Sequence, residues 1–153
     1  YKRQFPLYTD IRHFRILMVG GGAIALRRLK TLQLFHEHIT VISPSVCKEI
    51  EDMALEGFAT WISRSYVPGD LKGFDMVLAA TDDREVNHGV FLEARREKIL
   101  VNISDCKEEC SFYFPSVIKD GEIVIGVTSG GADHKKTKQT ADRIRSLIWN
   151  QKD

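Results

Sequence analysis

The chain of 153 residues is 43% hydrophobic, which allows one domain with a substantial core, or one domain with an appendage. Its 22 basic and 21 acidic residues give a net charge of +1, which points neither to nucleic acid nor to a membrane surface as a partner. No apolar run approaches the length of a membrane span, and three scattered cysteines favour a reducing, cytoplasmic setting over a disulfide framework. The first residues carry no apolar signal segment, so we expect a trimmed or partly ordered N-terminus rather than a signal peptide.

Short apolar strands alternate with amphipathic helices over the first two thirds of the chain. The predicted strands are residues 15–19, 38–42, 59–63, 76–80 and 99–103, and the predicted helices are residues 22–35, 45–56 and 84–98. The fourth strand is continuously apolar, as a strand covered on both faces of a parallel sheet should be. This alternation predicts an α/β fold, a Rossmann-like NAD(P)-binding domain with a parallel sheet in the order 3-2-1-4-5.

The pattern changes after the fifth strand. Residues 111–118 and 122–128 indicate two strands with no helix between them, hence an antiparallel hairpin, and residues 135–149 indicate a final amphipathic helix. A hairpin beside a sheet edge and an exposed apolar helix face favour a dimerisation extension; capping of the monomer is the alternative. We therefore divide the chain into an NAD-binding domain, residues 1–110, and an extension for dimerisation and substrate binding, residues 111–153.

A G-x-G-x-x-A motif, formed by Gly20, Gly22 and Ala25, joins the first strand to the first helix. Gly20 can take the positive φ of a sharp turn, and Gly22 lets the backbone approach a pyrophosphate. Ala25 lets the helix lie close to the strand, and the unpaired N–H groups of the first helical turn then face the phosphates. The motif predicts a dinucleotide site; a glycine-rich turn that binds nothing is the alternative.

Ligands of open α/β sheets bind beyond the carboxyl ends of the strands. In this chain the segments at those ends are residues 20–25, 43–45, 81–83 and 102–105, together with Arg64. Where NAD sites carry an acidic ribose ligand the chain has Ser43, and no Arg stands beside it to prefer a 2′-phosphate. The choice between NAD and NADP therefore stays open, although Ser43 and Ser45 could hydrogen-bond the ribose.

Asp105 follows the fifth strand, at the place where a substrate next to a nicotinamide would lie. A carboxylate there can take a proton as hydride leaves, but on spacing alone a helix or turn cap is an equally good role for it. Asp82 and Asp83 share this ambiguity, since one of them should cap the helix that follows. The chain has no metal motif, and we assign no metal ligand.

Several runs occur together, in a fixed order, that match one family. They are residues 5–7, 19–22, 40–44, 79–83 with 86–87, 101–105, 112–116 and 128–131. On these runs the chain resembles the precorrin-2 dehydrogenase and sirohydrochlorin ferrochelatase family, which includes the N-terminal part of siroheme synthase. The Ala-Ala-Thr-Asp-Asp and Thr-Ser-Gly-Gly runs are more specific than the glycines.

The resemblance implies NAD-dependent oxidation of precorrin-2 to sirohydrochlorin in siroheme biosynthesis, by a homodimer, with ferrous iron inserted into the product by some members. It implies that Asp105 is the catalytic residue. With the strand-end rule it gives as cofactor-binding residues Gly20, Gly22, Ala23, Ile24, Ala25, Ser43, Pro44, Ser45, Thr81 and Asp82, and as tetrapyrrole-binding residues Asn102 and Ser129. Because precorrin-2 carries many carboxylates, basic residues should surround the cleft, and the candidates are Arg64, Arg84, Lys107, His134, Lys135 and Lys136.

The chain departs from the family pattern after Gly131. Residues 132–136 contain no Pro where the family continues with Ser-Pro, and the chain ends before the small helical domain that many members possess. We therefore expect an extension that is truncated relative to the family. The alternative function is a non-catalytic Rossmann-like sensor that binds a nucleotide or a tetrapyrrole and dimerises through its C-terminal segment.

Overall fold

The computed structural model describes residues 5–149, through which short strands alternate with helices. The first part contains strands β1 (Ile16–Val19), β2 (Ile39–Ile42), β3 (Ala59–Ile62), β4 (Met76–Ala79) and β5 (Leu100–Ile103), with helices α1 (Ala23–Leu32), α2 (Lys48–Leu55) and α3 (Arg84–Glu97). The second part contains strands β6 (Ser116–Asp120) and β7 (Ile123–Val127) and helix α4 (His134–Trp149). The ends of the two predicted domains, residues 1–4 and 150–153, lie outside the described residues.

The described chain forms two compact units. One is Tyr8–Phe112, and the other contains residues 113–149 with residues 5–7. In the first unit the five strands are all parallel and follow the order β3-β2-β1-β4-β5, so the predicted Rossmann-like sheet is confirmed. Within the described residues, no helix has both the length and the apolar content that crossing a membrane requires.

The core of the first unit lies on the sheet, where β1 and β4 are buried along their whole length. One face of the sheet packs against α3, and the buried residues of this cluster are Leu17, Val19, Ile42, Leu71, Val77, Ala79, Val90, Ala94, Val101 and Ile103. Full burial of an aliphatic side chain contributes about 1.5–3 kcal/mol, so this cluster is a principal source of stability for the sheet. It fixes the strand ends at which the predicted site residues lie.

Asp83 is the residue that caps α3. Its side chain accepts hydrogen bonds from the backbone N–H groups of Glu85, at 2.9 Å, and Val86, at 3.3 Å. Asp82 is exposed and has no part in the cap. The two neighbouring carboxylates, which spacing alone did not distinguish, therefore have different environments.

The second unit is an antiparallel β6–β7 hairpin followed by α4, as predicted. Its first strand begins at Ser116 and not at Ser111 as the pattern indicated. The reason lies in the sheet of the first unit, where the backbone N–H of Ser111 donates to the carbonyl of Val101 at 2.8 Å. The hydroxyl of Ser111 also accepts from the Val101 N–H, so this residue is bonded to β5. In the hairpin unit, Arg145 of α4 donates to the carbonyl of Val117 at 3.0 Å.

Candidate dinucleotide and catalytic site

The glycine-rich turn lies between the carboxyl ends of β2 and β4. Gly20 has a φ of +114°, and its N–H donates to the carbonyl of Ile42 at 2.9 Å. The next residue, Gly21, accepts from the N–H of Cys47 at 2.9 Å, and a Cβ on Gly21 would lie 2.4 Å from the carbonyl oxygen of Ser45. The segment that follows β2 therefore holds the turn in place, and neither glycine has room for a side chain.

Gly22 differs from these two glycines because space around it is open. A Cβ built on Gly22 meets no atom within 4 Å, and the residue is the N-cap of α1 without any side-chain hydrogen bond. Ala23 and Ile24 are exposed on the first turn, whereas Ala25 is fully buried beneath them. The first turn carries no acidic residue. The N–H groups of the first turn have no acceptor within the helix, so this helix end offers hydrogen-bond donors and the positive end of the helix dipole to an anion.

The segment after β2 supplies the predicted ribose side of the site. Ser43 is 7% exposed, and its hydroxyl donates to the carbonyl of Ser45 at 2.6 Å. Its own carbonyl accepts from the indole N–H of Trp61 at 2.9 Å. Pro44 and Ser45 are exposed. The Ser43 hydroxyl therefore shapes the turn, and the exposed groups of this segment belong to the two residues after it.

Two of the predicted cofactor-binding residues, Thr81 and Asp82, follow β4. The N–H and hydroxyl of Thr81 both donate to the amide oxygen of Asn87, at 3.2 and 2.8 Å. Asp82 extends into solvent beside it. Asn87 is completely buried in the first turns of α3, directly behind the end of β4.

Asp105 lies just beyond β5, and both of its carboxylate oxygens accept hydrogen bonds from side chains. Arg84 donates to one oxygen at 3.1 Å, and the amide nitrogen of Asn87 donates to the other at 3.1 Å. The Asp105 side chain is 36% exposed, so it remains open to solvent on its other side. A carboxylate held in this way has a fixed orientation and free lone pairs with which to accept a proton.

Arg84 joins Asp105 to a second carboxylate, Glu109. The guanidinium bonds Glu109, and His88 lies 2.8 Å from the same carboxylate oxygen. The hydrogen bond to Glu109 raises the pKa of Arg84 above its ordinary value. Burial raises the pKa of Glu109, but the hydrogen bonds from Arg84 and His88 outweigh it and leave that pKa below its ordinary value. The cluster therefore keeps a positive charge beside Asp105.

Asn102 and Ser129, the predicted tetrapyrrole contacts, are both hydrogen-bonded within their own units. Asn102 is 3% exposed, and its amide nitrogen donates to the carbonyl of Phe112 at 2.8 Å. Ser129 accepts from the N–H of Asp133 at 2.9 Å and from the hydroxyl of Thr137 at 2.9 Å, at the start of α4. Their observed bonds organise a loop and a helix end respectively.

Asn87 and Glu109 both lie close to Asp105. The sequence analysis included Asn87 in a run that matches the family but gave it no role, and it did not single out Glu109. Asn87 lies in the helix that Asp83 caps, so its distance from the cap was a signal that it faces the end of β4. Glu109 belongs to a short 3-10 turn, Lys107–Glu109, and this turn has no apolar periodicity from which it could be predicted. Among the described residues, no group of three or more His, Cys, Asp or Glu side chains is arranged to hold a metal ion.

The NAD_binding_7 family model, which describes NAD(P)-binding domains, matches residues 7–116. The chain belongs to this NAD(P)-binding family. The match covers all five parallel strands, the glycine turn and Asp105. The predicted dinucleotide fold is thus confirmed at the level of NAD(P), which does not distinguish the two cofactors.

Proteins named for siroheme biosynthesis are similar to the chain over nearly its whole length. The "Probable multifunctional siroheme biosynthesis protein HemA" of Ruminiclostridium josui is 39% identical over 145 residues, which is 94% of this chain and 28% of that protein. The siroheme synthase of Methylococcus capsulatus is 36% identical over 143 residues, 94% of this chain and 30% of that protein. The chain thus spans less than a third of the length of these curated relatives.

The fold is also similar to a solved structure described as SirC, precorrin-2 dehydrogenase. The TM-score is 0.82 with 26% sequence identity, and the match covers 94% of this chain and 70% of that one. The resemblance that the sequence runs indicated is therefore confirmed, both in sequence and in fold.

Proposed function

We propose that the chain carries out the NAD-dependent dehydrogenation of precorrin-2 to sirohydrochlorin. The observation that carries the proposal is the position of Asp105. Its carboxylate is held by two side chains at the carboxyl end of the parallel sheet, where the glycine turn also lies. Its relatives in siroheme biosynthesis and the SirC fold give the reaction class. This proposal concerns the described chain, whatever further activities the longer relatives possess.

The residues of the turn fit a dinucleotide. The open space at Gly22 and the donor groups of Ala23 and Ile24 would hold the pyrophosphate. Pro44 and Ser45 would border the ribose, and Thr81 and Asp82 would border the dinucleotide at the end of β4. All four residues follow the carboxyl ends of strands of the same parallel sheet. NAD, when bound, supplies the hydride acceptor.

The charged residues near the ribose side favour NAD over NADP. Arg64, just after β3, donates to both oxygens of Asp70 at 2.7 Å. Lys48, at the start of α2, pairs with Asp52 at 3.0 Å and with Glu51 at 3.4 Å. A 2′-phosphate would have to separate one of these pairs, because the residue at the ribose position is a serine and not a cation. We therefore expect tighter binding of NAD.

Asp105 takes the proton in the proposed reaction. Dehydrogenation removes one hydride and one proton from precorrin-2, and the exposed side of the Asp105 carboxylate accepts the proton as the hydride leaves. The two side chains that hold Asp105 keep it in one orientation throughout.

The remaining assignments follow from the resemblance. We assign residues 1–110 to cofactor binding and residues 111–153 to dimerisation, with Asn102 and Ser129 on the substrate side. Sedimentation equilibrium measures the expected homodimer. Iron insertion needs its own assay, in which ferrous iron and sirohydrochlorin are mixed with the chain and the product spectrum is followed.

The deciding experiment mixes the chain with precorrin-2 and NAD and follows the absorbance of NADH. We expect turnover, and we expect Asp105→Asn to abolish it while NAD binding, measured by calorimetry, persists. Absence of NADH at every substrate concentration would support the sensor function instead. Loss of NAD binding in Asp105→Asn would show that Asp105 maintains the structure of the site.

A further inference from the structure

We propose that Asn87 is the positioning residue of this site, which orients the Asp105 carboxylate and ties it to the backbone that follows β4. The inference rests on the proposed dehydrogenation, in which Asp105 accepts a proton. It assigns a specific task to a buried amide that the family resemblance leaves without one.

The side-chain amide of Asn87 connects two strand ends. Its oxygen accepts from the N–H of Thr81 at 3.2 Å and from the Thr81 hydroxyl at 2.8 Å. Its nitrogen donates to the carbonyl of Thr81 at 3.1 Å and to a carboxylate oxygen of Asp105 at 3.1 Å. The amide is 0% exposed, and these four bonds use its two N–H donors and both lone pairs of its oxygen. It has no hydrogen-bonding capacity left for a ligand.

These contacts fix the amide before any ligand binds. Both backbone groups of Thr81 are held, so the amide plane has one orientation relative to the end of β4. The remaining N–H then points at Asp105 from a rigid support. Because reacting groups must be placed to within a fraction of an ångström, such a fixed donor has a large effect on rate even though it touches no substrate.

An amide suits this position because it donates without carrying charge. The charged side chain of Arg84 donates to the other oxygen of Asp105 and also bonds Glu109. His88 on α3 contacts Glu109 and not Asp105. A second carboxylate at position 87 would face Asp105 at hydrogen-bond distance, and two such groups share a proton. The neutral amide avoids that competition and leaves Asp105 able to accept.

The test is the isosteric variant Asn87→Asp, measured in the NADH assay across pH. The new carboxylate keeps the acceptor for Thr81 but traps a proton against Asp105. The acid limb of the pH–rate profile should move upward by about one pH unit or more, with activity recovering as pH rises. The matched control is Glu93→Gln, which changes another buried polar side chain of α3. The Glu93 carboxylate accepts from the N–H groups of Gly69 and Leu71 and makes no contact with Asp105. The profile of this control should keep the position of its acid limb.

A second variant, Asn87→Ala, separates positioning from binding. We expect kcat to fall about 10–100-fold, with KM for precorrin-2 and the calorimetric Kd for NAD each changing less than about threefold. Circular dichroism and thermal unfolding verify that the variants are folded at the assay temperature.

The outcomes distinguish the two proposals. If the unmodified chain produces NADH, two results would overturn the role of Asn87 while the proposed dehydrogenase activity remains supported. One is an Asn87→Asp rate lowered equally at every pH, and the other is an unchanged kcat in Asn87→Ala. An unmodified chain that produces no NADH overturns the dehydrogenase, and the positioning role with it. An upward shift of the acid limb in Asn87→Asp but not in Glu93→Gln, together with a lower kcat in Asn87→Ala, supports the positioning role.

Discussion

The turn after β1 comes so close to the end of β4 that a Cβ on Gly20 would lie 2.4 Å from the carbonyl oxygen of Ala80. Real Cβ atoms do not approach a carbonyl oxygen so closely, and this obstacle is rigid backbone. The φ of +114° at Gly20 adds a second restriction, because residues with side chains rarely adopt it. The glycine-rich turn and the end of β4 are therefore packed tightly against each other.

Gly20→Ala should lower the free energy of unfolding by roughly 2–4 kcal/mol, the sum of backbone strain and a clash with main chain. Urea unfolding followed by circular dichroism measures this change. The matched control is Gly89→Ala in α3, where the nearest atom to a new Cβ is a ring carbon of Tyr66 at 3.7 Å. That variant should gain about 0.5–1 kcal/mol from helix propensity. A Gly20→Ala chain as stable as the unmodified chain would show that the turn has freedom to move.

Gly22→Ala tests cofactor approach without the folding defect. Nothing lies within 4 Å of the new Cβ, and the φ of −88° suits any residue, so unfolding free energy should change by less than about 0.5 kcal/mol. The methyl group would occupy the space that we propose for the pyrophosphate, so the calorimetric Kd for NAD should rise about tenfold or more. Unchanged NAD affinity would place the pyrophosphate away from Gly22.

The strand order could be predicted from the sequence because the parallel strands are short apolar runs, and β1, β2 and β4 are each followed by an amphipathic helix. β4 shows this most plainly, since it is buried on both faces and contains only apolar residues. The hairpin's first strand was predicted five residues too early, at Ser111 in place of Ser116. Apolar residues continue across that boundary, and nothing in the local pattern shows that Ser111 bonds β5.

The sequence predicts which residues of the candidate site lie at the ends of strands. It does not predict the contacts between side chains of different elements. Gly20 and Asp105 could be placed at one sheet edge because parallel strands end there together. The contact of Asp105 with Asn87 joins residues 18 positions apart on different elements, and it depends on how α3 packs. Glu109 likewise meets Arg84 across 25 positions. No local spacing encodes either contact.

The Arg64–Asp70 pair should make stability depend on pH in the acid range. The side-chain hydrogen bond from Arg64 holds the pKa of Asp70 below its ordinary value, against the opposing effect of burial. A lowered carboxyl pKa in the folded state contributes stability above the unfolded value of about 3.9, and that contribution is lost as pH falls through the folded value. Asp70→Asn should therefore cost about 1 kcal/mol at pH 7, a small amount because Arg64 is 42% exposed. Urea unfolding at pH 7 and pH 3 should show the difference between the two chains shrinking at the lower pH; a constant difference would contradict the charge pairing.

Glu93 anchors the loop after β3 from inside α3. Its carboxylate is 4% exposed and accepts from the hydroxyl of Tyr66 and from the N–H groups of Gly69 and Leu71. Tyr66→Phe should lower stability by about 1.5–3 kcal/mol, the range for a hydrogen bond to a charged group. Burial, and then the hydrogen bond to Glu93, raise the pKa of Tyr66. The phenol's contribution is therefore complete below its unfolded pKa of about 10 and declines from there as pH rises towards the raised folded pKa. Denaturant unfolding at pH 7 and pH 11 should show the difference in stability between the two chains narrowing at pH 11; a difference equally large at both pH values would contradict the bond to Glu93.

Substitutions of Asp82 and Asp83 should have different effects, because Asp83 caps the helix and Asp82 faces solvent at the proposed cofactor site. Asp83→Ala removes the acceptor for the Glu85 and Val86 N–H groups, so unfolding free energy should fall by about 1 kcal/mol. Asp82→Ala removes an exposed side chain outside the cap and should change stability by less than about 0.5 kcal/mol. If Asp82 contacts the dinucleotide as proposed, its substitution raises the calorimetric Kd for NAD while thermal unfolding stays the same. The reverse pattern, with Asp82→Ala unstable and Asp83→Ala neutral, would mean that the helix is capped by the other carboxylate.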